Sequence, residues 1–162
     1  MISGLEGYDW ETIWWTFFWS ATFFGELKVG IPFALYNNMR TLSAYLFCSS
    51  ANCLAFPVTI YFLDFAHSYL QRYAYYRNVI GYFIEKSREK TGPLVKKYGY
   101  LGLTVLIMIP LPMTGAYIAS LGAWVLKLDR RKAFIYVVIG CFLAGIVVTS
   151  VIQGGTVVYS LF

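Results

Sequence analysis

Glu26 and Lys28 are the only charged residues in an otherwise apolar stretch that runs from Thr12 to Met39. A charge at membrane depth costs several kcal/mol unless it is paired or hydrated, so such residues tend to serve function. At this depth a carboxylate can carry a proton or bind a cation, and an ammonium can hold an anion. The alternative is structural: the two charges tie parts of the fold together, or lie near the outer surface and snorkel to water. Residues two apart do not face each other on a helix. The pair therefore needs either a break in the helix or other partners.

The sequence places a break nearby. The segment Gly25-Glu26-Leu27-Lys28-Val29-Gly30-Ile31-Pro32 interrupts the first apolar stretch. Ile109-Pro110-Leu111-Pro112-Met113-Thr114-Gly115 interrupts a second, Tyr98–Leu126. Proline removes a backbone donor and clashes with the preceding turn, so neither stretch is expected to be one unbroken helix. Proline also suits a first helical turn, and helices are expected to restart after Pro32 and Pro112. Each restart aims free N–H groups and a positive dipole end at the break, which favours an anionic group there. Pro110 shapes the second break, Thr114 adds a hydroxyl, and Gly115 lets backbone approach closely. A plain kink without binding is the bland alternative. Asn52, polar within the apolar run Thr41–Leu63, is expected to hydrogen-bond across to one of the broken segments. These eight residues (Glu26, Lys28, Pro32, Asn52, Pro110, Pro112, Thr114 and Gly115) form the candidate substrate and coupling site.

The elements that must position them follow from composition. With 59% hydrophobic, 20% aromatic and 13% charged residues, the chain is far less charged than a soluble domain. Thr41–Leu63, Tyr98–Leu126 and Ala133–Phe162 carry no charge, and each is long enough to cross a bilayer core. No strict alternation suggests a β-barrel. Seven of the 13 basic residues lie between Arg72 and Lys97, and four between Lys127 and Lys132. The positive-inside rule places both clusters in the cytoplasm. Tyr98–Leu126 must then enter and leave on one side, yet it is too short for two crossings of about 20 residues each. A re-entrant hairpin with its tip at Pro110-Leu111-Pro112 satisfies both demands; a single kinked span is the alternative. The same logic makes Trp10–Asn38 a hairpin from the outside, with its tip near Glu26–Pro32. The expected architecture is an all-α integral membrane protein of two inverted-topology repeats, each a re-entrant helical hairpin plus a transmembrane helix. Its single domain, 1–162, divides into repeat 1 (about 10–66), an interfacial linker helix (about 67–97) and repeat 2 (about 98–160). Gly92-Pro93 is expected to end the linker helix.

Other chemistry is thinly represented. Cys48, Cys53 and Cys141 lie in apolar runs without CxxC spacing and read as small apolar residues, so no metal or other cofactor is expected. No nucleophile–base pair or phosphate-binding loop suggests an enzyme. The net charge of +5 reads as topology and attraction to lipid headgroups, with no nucleic-acid partner. Glu6, Asp9 and Glu11 are the reverse of a signal peptide's basic start. Gly115, Ala119 and Ala123, and likewise Gly140 and Ala144, repeat every four residues, spacing that allows close helix contact within the chain or in a homo-oligomer. Asp64 and His67 close the first span at the cytoplasmic interface.

Glu26-x-Lys28-x-x-Ile31-Pro32, Ala51-Asn52, Lys97-Tyr98-Gly99-Tyr100-x-Gly102 and Ile109-Pro110-Leu111-Pro112-x-Thr114-Gly115-Ala116 resemble the small multidrug export protein family over about residues 22–155. That family is similar in plan to the DedA/VTT superfamily. The departures are Lys28 for the usual Arg, Ala51 for Gly and Met113 for Gly. The resemblance implies a multi-pass protein of the prokaryotic cell membrane. It also implies paired re-entrant hairpins and transport of lipid-phosphate carriers or proton-dependent drug resistance. DedA-type proteins carry arginines where this chain has Ile107 and Met113, which weakens the phosphate-lipid implication. The leading expectation is a small proton-coupled exporter with a midplane site between the hairpins. Its substrate would be a lipid phosphate or other small anion, or less readily a cationic drug. The rival is a non-transporting membrane organiser or passive lipid scramblase. Membrane lipids and a small-molecule or lipid substrate are the expected partners.

Overall fold

The computed structural model describes residues 9–22, 25–67, 74–109 and 115–159. The described residues are helical: α1 (Trp10–Ala21), α2 (Glu26–Tyr36), α3 (Thr41–Cys53), α4 (Ala55–Phe62), a π-helical turn (Leu63–His67), α5 (Ala74–Tyr98), α6 (Leu101–Met108), α7 (Ala116–Val125) and α8 (Arg130–Tyr159). Two helices are long and apolar enough to cross a membrane, Thr41–Phe65 and Arg130–Gly154. The first includes a step at Leu54, whose N–H reaches back only three residues to the Ala51 carbonyl. Pro57, which offers no N–H to the Cys53 carbonyl, accounts for that step.

The remaining membrane-length stretches are broken, as expected. At 1.5 Å per residue, α1, α2, α6 and α7 are each about 12 to 18 Å long, against a hydrocarbon core of about 30 Å. The first break lies earlier than the prolines suggest. Helix α1 stops at Ala21, Thr22 is extended, and α2 already begins at Glu26, so Pro32 sits inside α2 and does not start it. The turn is fixed by Gly25, which packs against the Trp19 carbonyl too closely for any side chain. A proline six residues into the helix removes one rung and leaves the rest intact. In the second stretch α7 begins at Ala116, directly after Gly115. Pro110, Pro112 and Thr114 lie outside the described residues.

Helix α5 also corrects an expectation. It runs through Gly92 and Pro93 to Tyr98, and its terminator is Gly99. Gly99 has φ +60° and donates its N–H to the Val95 carbonyl (2.8 Å), the left-handed cap that glycine favours. Helix α5 lies on α7 through small residues: Ser87 Oγ donates to the Ile118 carbonyl (3.0 Å), and Gly122 packs on Thr91. It meets α6 where Gly102 touches the backbone of Leu94. Backbone cannot swing aside, so Gly102→Ala is expected to cost about 1–3 kcal/mol, read as a lower melting temperature in detergent.

Tyr100, near the start of the stretch Tyr98–Leu126, reaches the residues just beyond its end: the Asp129 N–H donates to the Tyr100 hydroxyl at 3.2 Å. Asp129 also caps α8, accepting from the backbone N–H groups of Lys132 (3.1 Å) and Arg131 (3.0 Å), which hold its carboxyl below the ordinary carboxylate range. The small residues Ala119, Ala123 and Ala144 are buried in the core, and Gly140 packs on Ile107 and Thr104 of α6. Their close approach is therefore made within the chain.

The two halves share a spacing. Helices α2 and α7 end at Tyr36 and Val125, and α3 and α8 begin at Thr41 and Arg130, both pairs separated by the same 89 residues. The ends of α2 and α7 also share a cap. Asn38 (φ +59°) and Lys127 (φ +53°) are left-handed. The Met39 N–H bonds the Ala34 carbonyl (3.0 Å) and the Leu128 N–H bonds the Ala123 carbonyl (2.9 Å), as in a Schellman motif.

Candidate functional site

Glu26 opens α2 in the left-handed region, φ +48°, a conformation that costs a residue other than glycine about 1–2 kcal/mol. This is why Glu26 and Lys28 face each other despite being two apart: Lys28 Nζ lies 3.9 Å from Glu26 Oε2. Off-helix dihedrals at Glu26 turn its side chain out of the regular spiral. Glu26 is 7% exposed, while the Lys28 side chain retains 29% exposure.

The carboxylate is aimed at the other broken stretch. It accepts a hydrogen bond from the Tyr117 backbone N–H in the first turn of α7. Gly115 lies so close beneath it that a Cβ there would overlap both carboxylate oxygens. The carboxylate thus occupies the positive end of α7, where orphan N–H groups and the helix dipole favour an anion. A second tie runs back: the Tyr117 hydroxyl donates to the Ala21 carbonyl at the end of α1. The two breaks are latched to each other by side chains from each. The sequence predicted an anion site at such a helix start, and the chain fills that site itself.

Asn52 is 1% exposed in α3. Its amide donates to Cys141 Sγ in α8 at 3.8 Å, so its partner is the second long helix and not a broken segment. Cys141 is thereby more than an apolar filler. Asn52 Oδ1 has no hydrogen-bond partner. A cavity of about 10 Å³ is lined by Glu26, Lys28, Asn52 and Gly115, together with Leu27, Ile107, Ala144 and Val148. That volume admits about one water molecule. Four of the eight candidate residues thus converge on one small void. Pro32 does not line it, and Pro110, Pro112 and Thr114 fall outside the described residues. Ile107 contributes only an apolar wall.

The 89-residue spacing recurs here. It separates Asn52 from Cys141 and also Glu26 from Gly115, so positions equivalent in the two halves touch at the cavity. Asn52 and Cys141 are each the twelfth residue of a 25-residue apolar helix, so the void lies level with the middle of both.

A family model described as "Putative small multi-drug export protein" matches residues 26–147, about three quarters of the chain. The match begins at Glu26 and takes in every residue lining the cavity up to Ala144. No curated protein and no solved structure matches.

Proposed function

The chain belongs to the small multidrug export protein family, and from that premise we propose a proton-coupled transporter whose site lies at the membrane midplane between two re-entrant hairpins. One observation carries the reading: a buried carboxylate from one broken stretch lies at the helix start in the other, with an ammonium beside it. Protonation of Glu26 removes its charge and its strongest acceptor, so the latch to α7 weakens. The vacated N–H groups and Lys28 then offer themselves to an anionic group, such as the phosphate of a lipid or small metabolite. Proton and anion therefore bind together, and release of the proton restores the latch. A void of about 10 Å³ admits no such substrate. On this reading, so small a void belongs to the closed form of the cycle.

Several features support the membrane arrangement. The meeting of Tyr100 with Asp129 supports a hairpin that leaves on the side it entered. Arg88, from the first basic cluster, lines one cavity with Lys127 and Arg130 from the second, which supports a shared cytoplasmic side. The common 89-residue spacing, with equivalent positions in contact, supports an inverted repeat.

The test is flux into vesicles containing the purified protein under an imposed pH gradient. A short-chain alkyl phosphate is expected to move with the proton gradient and to collapse with an ionophore. Flux of a lipophilic cation alone would reverse the substrate assignment. Gradient-independent movement of either would replace the transporter with a passive scramblase or a structural protein.

A further inference from the structure

A second, larger cavity of about 510 Å³ lies at the far end of α7 from Glu26, about 15 Å away along that helix. Its floor is apolar, with Phe56 and Ile60 of α4. Its rim carries Arg88 of α5, Lys127 and Arg130 of the α7–α8 junction, and Trp124. The carboxylates at this end, Asp64 and Asp129, are both engaged, Asp129 as the cap of α8. Asp64 accepts from Arg130 Nη1 (2.6 Å) and Nη2 (3.1 Å), and from Trp124 Nε1 (3.1 Å). Arg88 and Lys127 make no ion pair among the described residues. Ile84 and Arg88, one turn apart on α5, share the cavity-facing side, whereas Glu85 and Glu89 do not line it.

Lys127 supplies an independent observation. It holds the left-handed cap position of a Schellman motif, where glycine or asparagine is usual. At the equivalent position in the other half, 89 residues earlier, the same cap is made by Asn38, and Thr41 stands where Arg130 does. The backbone geometry therefore does not require a lysine. A strained residue that carries a charge into a cavity points to a ligand for that charge.

We propose that this cavity binds the anionic phosphodiester headgroup of a glycerophospholipid, with the phosphate between Arg88 and Lys127 and an acyl chain over Phe56 and Ile60. The setting fits: the cavity lies where α8 begins and the first long helix ends, the depth of headgroups if those helices span a bilayer, and tryptophan is at home there. Basic pockets between helices on the cytoplasmic side recognise anionic headgroups in this way. The proposal does not depend on Glu26.

Thermal unfolding of the full chain in neutral detergent, titrated with phosphatidylglycerol, phosphatidylcholine or inorganic phosphate, tests it. Phosphatidylglycerol is expected to raise the melting temperature saturably, with the other two far weaker. Lys127→Gly relaxes the cap and is expected to retain or raise stability in phosphatidylcholine. Combined with Arg88→Gln, it is expected to weaken the phosphatidylglycerol response by about fivefold for each cation lost. Asp64→Asn releases Arg130 and is expected to strengthen the response. Equal responses to the two lipids, or an undiminished response in the double variant, would overturn the proposal. A phosphate response matching that of the lipid would also overturn it, since the site would then take a free anion.

Discussion

Glu26→Gln is expected to abolish pH-driven flux while leaving the protein folded. Glutamine matches the size of glutamate and keeps one carbonyl oxygen to accept from the Tyr117 N–H. The bond becomes neutral, which weakens it, but the burial of a charge is also relieved; the two changes offset to within about 1 kcal/mol. What disappears is the proton: an amide cannot alternate between a charged latch and a neutral, released state. Flux of the alkyl phosphate under a pH gradient should fall to that of empty vesicles, with the melting temperature within a few degrees of wild type. Any residual flux should no longer respond to the gradient's direction. Unaltered proton dependence would remove Glu26 from the coupling role. Glu26→Asp is a useful companion, since its shorter side chain keeps the titration but retreats from α7. It should reduce flux without eliminating its pH dependence.

How much of this site was legible beforehand differs from residue to residue. Glu26, Lys28 and Asn52 stand out because polar groups in apolar runs need partners, and a single cavity brings all three together. Gly115 stood out as a place for close approach, and the approaching group is the Glu26 carboxylate. The interrupting segment Gly25–Pro32 contains the turn, but the helix restarts at Glu26 and not after Pro32, because proline is a local signal, whereas the actual turn depends on a tertiary demand. Gly25 must lie against the Trp19 carbonyl, which no pattern of residue types announces. The same holds for Gly99, which ends α5 where Gly92-Pro93 does not. Positive φ at Glu26 turned a forbidden pairing with Lys28 into an observed one. The common spacing of the two halves was hidden because equivalent positions differ in chemistry: glutamate against glycine, asparagine against cysteine, asparagine against lysine. Glu26 meets Gly115 and Asn52 meets Cys141, while Asn38 and Lys127 share only a backbone conformation, so the correspondence is one of backbone and not of side chains.

Gly115→Ala should be strongly damaging, because it strikes the group that joins the two broken stretches. The added Cβ would sit within the Glu26 carboxylate, so the end of that side chain must swing away from Gly115. The carboxylate must leave the α7 start, which strands a buried negative charge and leaves the first-turn N–H groups without their acceptor. Losing the partner of a buried charge costs about 3–5 kcal/mol, enough to threaten folding. The latch makes a sharper claim through a second substitution. Glu26→Ala vacates the space that the new methyl needs, so Gly115→Ala placed in that background should be nearly neutral. The double-mutant cycle, read from unfolding in detergent, should therefore give a coupling of about 2 kcal/mol or more between Glu26 and Gly115, which lie far apart in sequence. Additive effects would mean that the glycine serves only its own helix, and the two halves would not be held together through Glu26.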